Sequence, residues 1–341
     1  MDPATLFIVA VVVAALAFDF CNGWNDSANA IATVVSTRVL SPLTAVLIAA
    51  LLNFAGAFLS EGVAKTIGKG IVDANQVTQA VVLASMLSAT LWVAAMTLVG
   101  MPISGSHSLI GSLVGAAAFA KGLGVIHTHG LVTTLVAMLV SPLAGFLIGF
   151  LVMLIVLYIC RYMRPGTVGV VFGKLQLVSV SAMAGSHGMN DAQKVMGVIT
   201  LALIAGKFLP KDAPVPLWVK VACATVMAIG TLAGGWKVIK TLGMGLIKIK
   251  PVHGFAAETG ASITLGVAAY MGVPVSTTHT ITGSIMGVGA TRRLSAVSWG
   301  LGTKILVAWV LTLPATALMG GLFYMLLRLL GADAVVATPP V

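Results

Sequence analysis

The 341-residue chain is 59% hydrophobic and 8% charged, about a third of the charged share of an ordinary globular protein, with a mean hydropathy of +1.07. No soluble domain-sized stretch remains between its apolar runs, so the composition excludes a soluble enzyme and defines a membrane protein. The formal charge of +10 comes from basic residues scattered over short loops, with no continuous basic face for nucleic acid.

In chain order, apolar segments lie near 5–36, 42–60, 79–99, 102–120 and 130–158, then near 175–205, 216–236, 254–272, 274–290 and 299–328. The N-terminal Met1-Asp2-Pro3-Ala4-Thr5 lacks the basic region of a cleavable signal peptide, so the run after it reads as the first transmembrane segment. A short basic linker, 161–174, divides the chain into a first transmembrane repeat, 1–160, and a second, 175–341. The opening segment of each half spans about 30 residues against the ~20 a bilayer needs. Each carries a polar interruption, Asn22-Gly23-Trp24-Asn25-Asp26 and Ser186-His187-Gly188-Met189-Asn190-Asp191, and is expected to be a broken helix. Segments 102–120 and 274–290 fit either full spans or re-entrant hairpins. Cys21, Cys160 and Cys223 lack metal-ligand spacing and read as packing residues.

The two halves resemble each other. Gly23-Trp24-Asn25-Asp26 matches Gly188-Met189-Asn190-Asp191 at an offset of 165 residues (25 to 190). Pro102-Ile103-Ser104-Gly105-Ser106-His107 matches Pro274-Val275-Ser276-Thr277-Thr278-His279 at an offset of 172 residues (104 to 276), held through Gly111 and Gly283. Two motifs recurring in one order indicate a duplicated unit. Five crossings per unit invert the second relative to the first. With the N-terminus outside, Arg161, Arg164, Lys248, Arg292 and Arg293 fall inside with most of the basic residues, and Lys65, Lys69 and Lys121 outside. The expected fold is an all-α polytopic membrane protein of two inverted-topology repeats, with a midplane site between them.

Asp26 and Asp191 lie deep within apolar segments, where a carboxylate costs about 2.5–3.5 kcal/mol or more. They serve either as a polar clamp between helices or as a site for cation ligation or proton exchange, helped by Asn25 and Asn190. If the cation is sodium, Asp26 and Asp191 are its ligands. Glu258, inside an apolar segment, and Glu61, at the end of one, form a second acidic pair. In each Pro-x-Ser-x-x-His motif the proline opens a helix, and Ser104 or Ser276 falls in its first turn, where amides are unpaired. Hydroxyls and free amides suit a tetrahedral oxyanion, which makes Ser104, Gly105, Ser106, Ser276, Thr277 and Thr278 the expected anion contacts; close packing of small residues is the alternative. His107 and His279 fit anion donation, proton uptake or a structural brace. Lys194, beside Gln193, has Asn29 as its counterpart and pairs with Asp191 or attracts the anion. His-Glu-x-x-His, Cys-x-x-Cys and Gly-x-Ser-x-Gly are absent. Gly62–Lys69 fails as a phosphate loop because Gly70 stands where Ser or Thr belongs.

On Gly23-Trp24-Asn25-Asp26-Ser27-Ala28-Asn29-Ala30, Gly188-Met189-Asn190-Asp191 and the two Pro-x-Ser-x-x-His stretches, the chain resembles the inorganic phosphate transporter (PiT) family, which includes the type III sodium–phosphate cotransporters. The resemblance covers nearly the whole chain. It implies no enzyme activity and no cofactor, but cation-coupled uptake of inorganic phosphate across the plasma (inner) membrane, driven by sodium or protons, through alternating access. It also implies roles for Asp26, Asp191, Glu61, Glu258, Ser104 and Ser276, and a homodimer in the bilayer. Sulfate is the alternative substrate, and a passive anion channel the alternative mechanism. Gln193-Lys194 breaks the symmetry of the two Asn-Asp motifs, so the resemblance leaves the two cation sites unequal.

Overall fold

The computed structural model describes residues 3–73 and 76–332; positions 333–341 of the second expected repeat lie outside them. The described residues form twelve α-helices, with no β-structure beyond one isolated bridge, Val72 to Ile126. The first half holds α1 (Pro3–Ser36), α2 (Pro42–Gly56), α3 (Gly62–Gly70), α4 (Gln79–Val99), α5 (Gly105–Lys121) and α6 (Thr128–Ile159). The second holds α7 (Pro165–Ala205), α8 (Leu217–Ala233), α9 (Trp236–Lys240), α10 (Pro251–Tyr270), α11 (Thr277–Ala290) and α12 (Trp299–Leu329). A π turn, Thr241–Gly245, prolongs α9.

Lipid explains which faces these helices bury. In α6 the inward positions are Thr134, Met138, Ser141, Gly145, Gly149 and Met153, at helical spacing. Leu139, Leu143 and Leu147 of the same helix are 70%, 69% and 56% exposed. Each such leucine would cost about 1.5–3 kcal/mol in water and nothing against acyl chains. Among the described residues, five helices are long and apolar enough to cross a membrane, and α8 with α9 and its π turn forms a sixth, bent by 65°.

The halves exchange partners as a two-fold pseudo-symmetry requires. Helix α5 packs on α12 as α11 packs on α6; α1 packs on α4 as α7 packs on α10; and α1 meets α8 as α7 meets α2. Glycines set these distances. A Cβ at Gly283 would stand 2.2 Å from the Pro142 carbonyl oxygen, and one at Gly115 1.9 Å from that of Ala317. Helix α1 runs parallel to α8 and α9. Gly23 abuts Met227, Ser27 abuts Gly235 and, further along, Ala32 abuts Gly243. The opening helix of one half thus runs beside the second segment of the other in the same direction, as inversion demands.

The breaks differ from expectation. Helices α1 and α7 are continuous through both Asn-Asp motifs. Their polar side chains are satisfied laterally: Asn25 donates to Thr97 Oγ1 (2.8 Å) on α4, and Asn190 to the Leu265 carbonyl (3.1 Å) on α10. The chain breaks instead in the second segment of each half, between α2 and α3 and between α8 and α9, and the unbroken helices cap the new ends. Gln193 Oε1 accepts from the amides of Val63 (3.0 Å) and Ala64 (3.3 Å), and Ser27 Oγ from that of Gly235 (2.8 Å). The linker is also shorter than expected, since α7 begins at Pro165. Helices α5 and α11, at 17 and 14 residues, reach about 25 and 21 Å and fall short of a ~30 Å hydrocarbon core. Each starts at depth after a buried extended strip, 102–104 or 274–276.

Candidate functional site

The first turns of α5 and α11 are built alike. Ser104 (φ −92°, ψ 112°) and Ser276 (φ −91°, ψ 113°) are N-caps whose hydroxyls accept from the amides of His107 (3.1 Å) and His279 (3.2 Å). Both helix starts come together, because Ser106 Oγ donates to the Val275 carbonyl at 3.0 Å. The first-turn amides of both helices and the positive ends of their dipoles therefore converge on one region inside the protein.

Against these starts lie both aspartates. Thr278 Oγ1 donates to Asp26 Oδ1 at 2.8 Å, while the Thr277 hydroxyl stands 2.9 Å from Asp191 Oδ2 and 3.4 Å from Asp26 Oδ2. Asn29 donates to Thr278 Oγ1 (3.0 Å) and Thr277 Oγ1 (3.3 Å). Lys194 makes an ion pair with Asp191 and donates to Ser106 and to the Val275 carbonyl (2.9 Å). Asn22 Nδ2 reaches Asp191 Oδ2 at 3.4 Å, and His187 Nε2 lies 3.2 Å from the same oxygen. Asp26, Asp191, Lys194, Ser106, Thr277 and Thr278 are each at most 3% exposed, so the cluster is closed to solvent.

Charge is distributed unequally. Asp191 accepts from Lys194, Asn22 and Thr277, while His187, whose Nδ1 meets Asn53 Oδ1, turns Nε2 toward it. Asp26 has two threonine hydroxyls and no cation in hydrogen-bond range. Asp26, His187 and Asp191 each offer an atom within 4.8 Å of the others, a donor set that a cation would fit. The site thus combines oxygen ligands for a cation with hydroxyls, a lysine and free helix amides for an anion.

Several expected residues stand elsewhere. Glu61 is 34% exposed at the start of α3 and pairs with Lys220. It is not the partner of Glu258, which is fully buried against Thr33, Ser179 and Gln176 (2.9 Å). Thr33 is seven residues beyond Asp26, so Glu258 forms a separate station about 10 Å along α1. Asn25, Asn190 and Gln193 brace neighbouring helices instead of facing the cluster. Ser104 and Ser276 spend their hydroxyls on capping. His107 and His279 sit behind the first turns with ring centroids 4.5 Å apart, and His279 stacks on Trp309 at 3.6 Å. Gly105 is a spacer, because a Cβ there would meet Asn22 Oδ1 at 1.7 Å. Asn22, Asn29 and His187 join the cluster, although the sequence motifs that contain them assigned them no site role. Their signal was in the sequence, as polar residues on the same face of α1 or α7 as the aspartates.

Two inverted halves and an enclosed site of carboxylates, hydroxyls and one lysine define an integral membrane transporter. The chain belongs to the phosphate transporter family, whose model matches residues 22–320. It is 47% identical to a protein of Rhizobium meliloti (strain 1021), over 95% of this chain and 98% of that one, and 43% identical to one of Bacillus subtilis (strain 168), over 97% and 100%. Both relatives are named "Probable low-affinity inorganic phosphate transporter". A solved structure described as "The sodium-dependent phosphate transporter" shares the fold, with a TM-score of 0.86 and 24% identity, over 95% of this chain and 99% of that one. Phosphate transport is the family's function, and this chain is a permease, not an enzyme.

Proposed function

We propose that this protein is a cation-coupled symporter that takes up inorganic phosphate across the plasma membrane by alternating access. The observation that carries this reading is the meeting of the α5 and α11 first turns with Asp26 and Asp191. An anion between those turns takes hydrogen bonds from hydroxyls, amides and Lys194. A cation beside it is held by Asp26, whose direct hydrogen-bond partners are threonine hydroxyls. Moving a phosphate dianion inward against 100 mV costs about 4.6 kcal/mol, twice the single-charge value, and a co-transported cation lowers that cost. The shared fold with a sodium-dependent phosphate transporter supports sodium as one coupling ion. Closure of the cluster to solvent fits an occluded stage of the cycle. Further along α11, a cavity of about 690 Å³ lined by Lys248, His253, Arg292 and Arg293 suits an inward vestibule that draws the anion out.

The test is phosphate uptake by the purified protein in liposomes, with sodium and pH gradients imposed separately. Accumulation above the external concentration under either gradient is the expected result. Flux that never exceeds equilibration, under both gradients, would establish a passive channel instead.

A further inference from the structure

Asp19 is a buried carboxylate outside the cluster. It lies on α1 seven residues before Asp26, is 0% exposed, and its oxygens meet no hydrogen-bond partner other than the Cys223 thiol. Seven residues is close to two turns, so Asp19, Asp26 and Thr33 share one face of α1 at intervals of about 10 Å. Thr33 carries the contact to Glu258. One helix face therefore presents three acidic stations through the interior: Asp19, then Asp26 with Asp191, then Glu258.

The first station differs from the others in chemistry. Its neighbours on α1 and α8, among them Ala15, Phe18, Ala224 and Met227, belong to the hydrophobic core. The polar group against it is the Cys223 thiol of α8. Charged groups of the surrounding helices offer it nothing. On α7, Asp191 acts on it as a like charge, and His187 and Lys194 are held by Asp191. Lys220 of α8 is held by Glu61. The α4 segment Gln79–Val99 and the α2 segment Pro42–Gly56 contain no ionisable residue. Lys237 of α9, Glu258 of α10 and His279 of α11 engage the Leu98 carbonyl, Thr33 and Trp309 respectively. A bare carboxylate in such surroundings carries an effective penalty of several kcal/mol. A metal cation would find one carboxyl group and a thiol there, far short of the oxygen shell a hard cation needs.

We propose that Asp19 is a proton-binding site of the transport cycle, distinct from the cation site at Asp26 and Asp191. Its carboxylate accepts a proton from water when the protein is open to one side, is carried neutral through the occluded stage, and returns the proton to water on the other side. This proposal rests on the transport reading above.

The experiment compares wild type, Asp19→Asn and Asp19→Glu in liposomes, without sodium. Gradient-free exchange of labelled for unlabelled phosphate reports binding and movement. Accumulation under an imposed pH gradient, divided by that exchange at each pH, reports coupling and removes the titration of phosphate itself. The expected outcome is exchange by all three proteins, with gradient-driven accumulation cut at least tenfold in Asp19→Asn and kept with a shifted pH midpoint in Asp19→Glu. Accumulation by Asp19→Asn equal to wild type would overturn the proposal. So would wild-type accumulation that ignores the pH gradient, or, should Asp19→Asn not fold, a wild-type midpoint in Asp19→Glu. Absence of exchange in wild type would instead sink the transport reading.

Discussion

At the residue scale, the asymmetry between Asp26 and Asp191 governs what substitutions do. Asp191 is tied to Lys194 in a fully buried ion pair, and removing one partner of such a pair typically costs about 3–5 kcal/mol. Lys194→Met is therefore expected to lower thermal stability sharply in detergent, and adding Asp191→Leu should restore part of the loss. A double variant less stable than the single one would contradict this. Asp26 has no such partner, so Asp26→Asn should fold normally and lose gradient-driven phosphate uptake by at least tenfold. The check is a melting curve beside an uptake assay, and full uptake by the variant would remove Asp26 from coupling. The caps and the hydroxyls facing the aspartates should also separate. Ser276→Ala loses a cap worth about 1 kcal/mol, with uptake changed modestly. Thr277→Val keeps the helix but deprives both carboxylates of a hydroxyl, and is expected to raise the phosphate KM far more.

At the element scale, glycine contacts hold the short helices α5 and α11 at their depth. Gly283 packs on the Pro142 carbonyl of α6, and its counterpart Gly111 on α12, where a Cβ would stand 2.4 Å from Thr316 Oγ1. Membrane helices gain little from hydrophobic transfer between themselves, so association rests on such close backbone approach. Gly283→Val should push α11 from α6, destabilise the fold by about 1–3 kcal/mol and impair transport through the displaced first turn. Unchanged stability and uptake would show that α11 is positioned by other contacts. Helices α3 and α9 illustrate what local pattern hides. They are short, and Lys65 or Lys237 and Lys240 give them the look of loops. Their starts are fixed by Gln193 and Ser27 from another half of the chain, and no window of neighbouring residues carries that information.

At the scale of the whole molecule, inverted halves bring equivalent motifs together in the interior and send the far ends of equivalent helices to opposite sides of the membrane. In a background with Cys21, Cys160 and Cys223 changed to Ala, Arg292→Cys should react with a membrane-impermeant thiol reagent from the cytoplasmic side. Lys121→Cys, near the equivalent end of α5, should react from the opposite side. Labelling of both from one side would contradict the inversion. Duplication, class and most helices were written in the chain: hydropathy marks spans, and motif recurrence at offsets of 165 and 172 residues (25 to 190, 104 to 276) marks the two units. Asp26, Asp191, Ser106, Thr277, Thr278 and Lys194 were likewise legible, since a polar residue in an apolar helix must find a partner or a ligand. Only the tertiary structure decided that Glu61 stands apart from Glu258, that Asn25 and Asn190 brace helices, that α1 and α7 stay unbroken, and that Asp19 is left without a cationic partner. Those outcomes depend on which side chain meets which across helices distant in sequence, and hydrogen bonding at such crossings is settled by packing, not by local pattern.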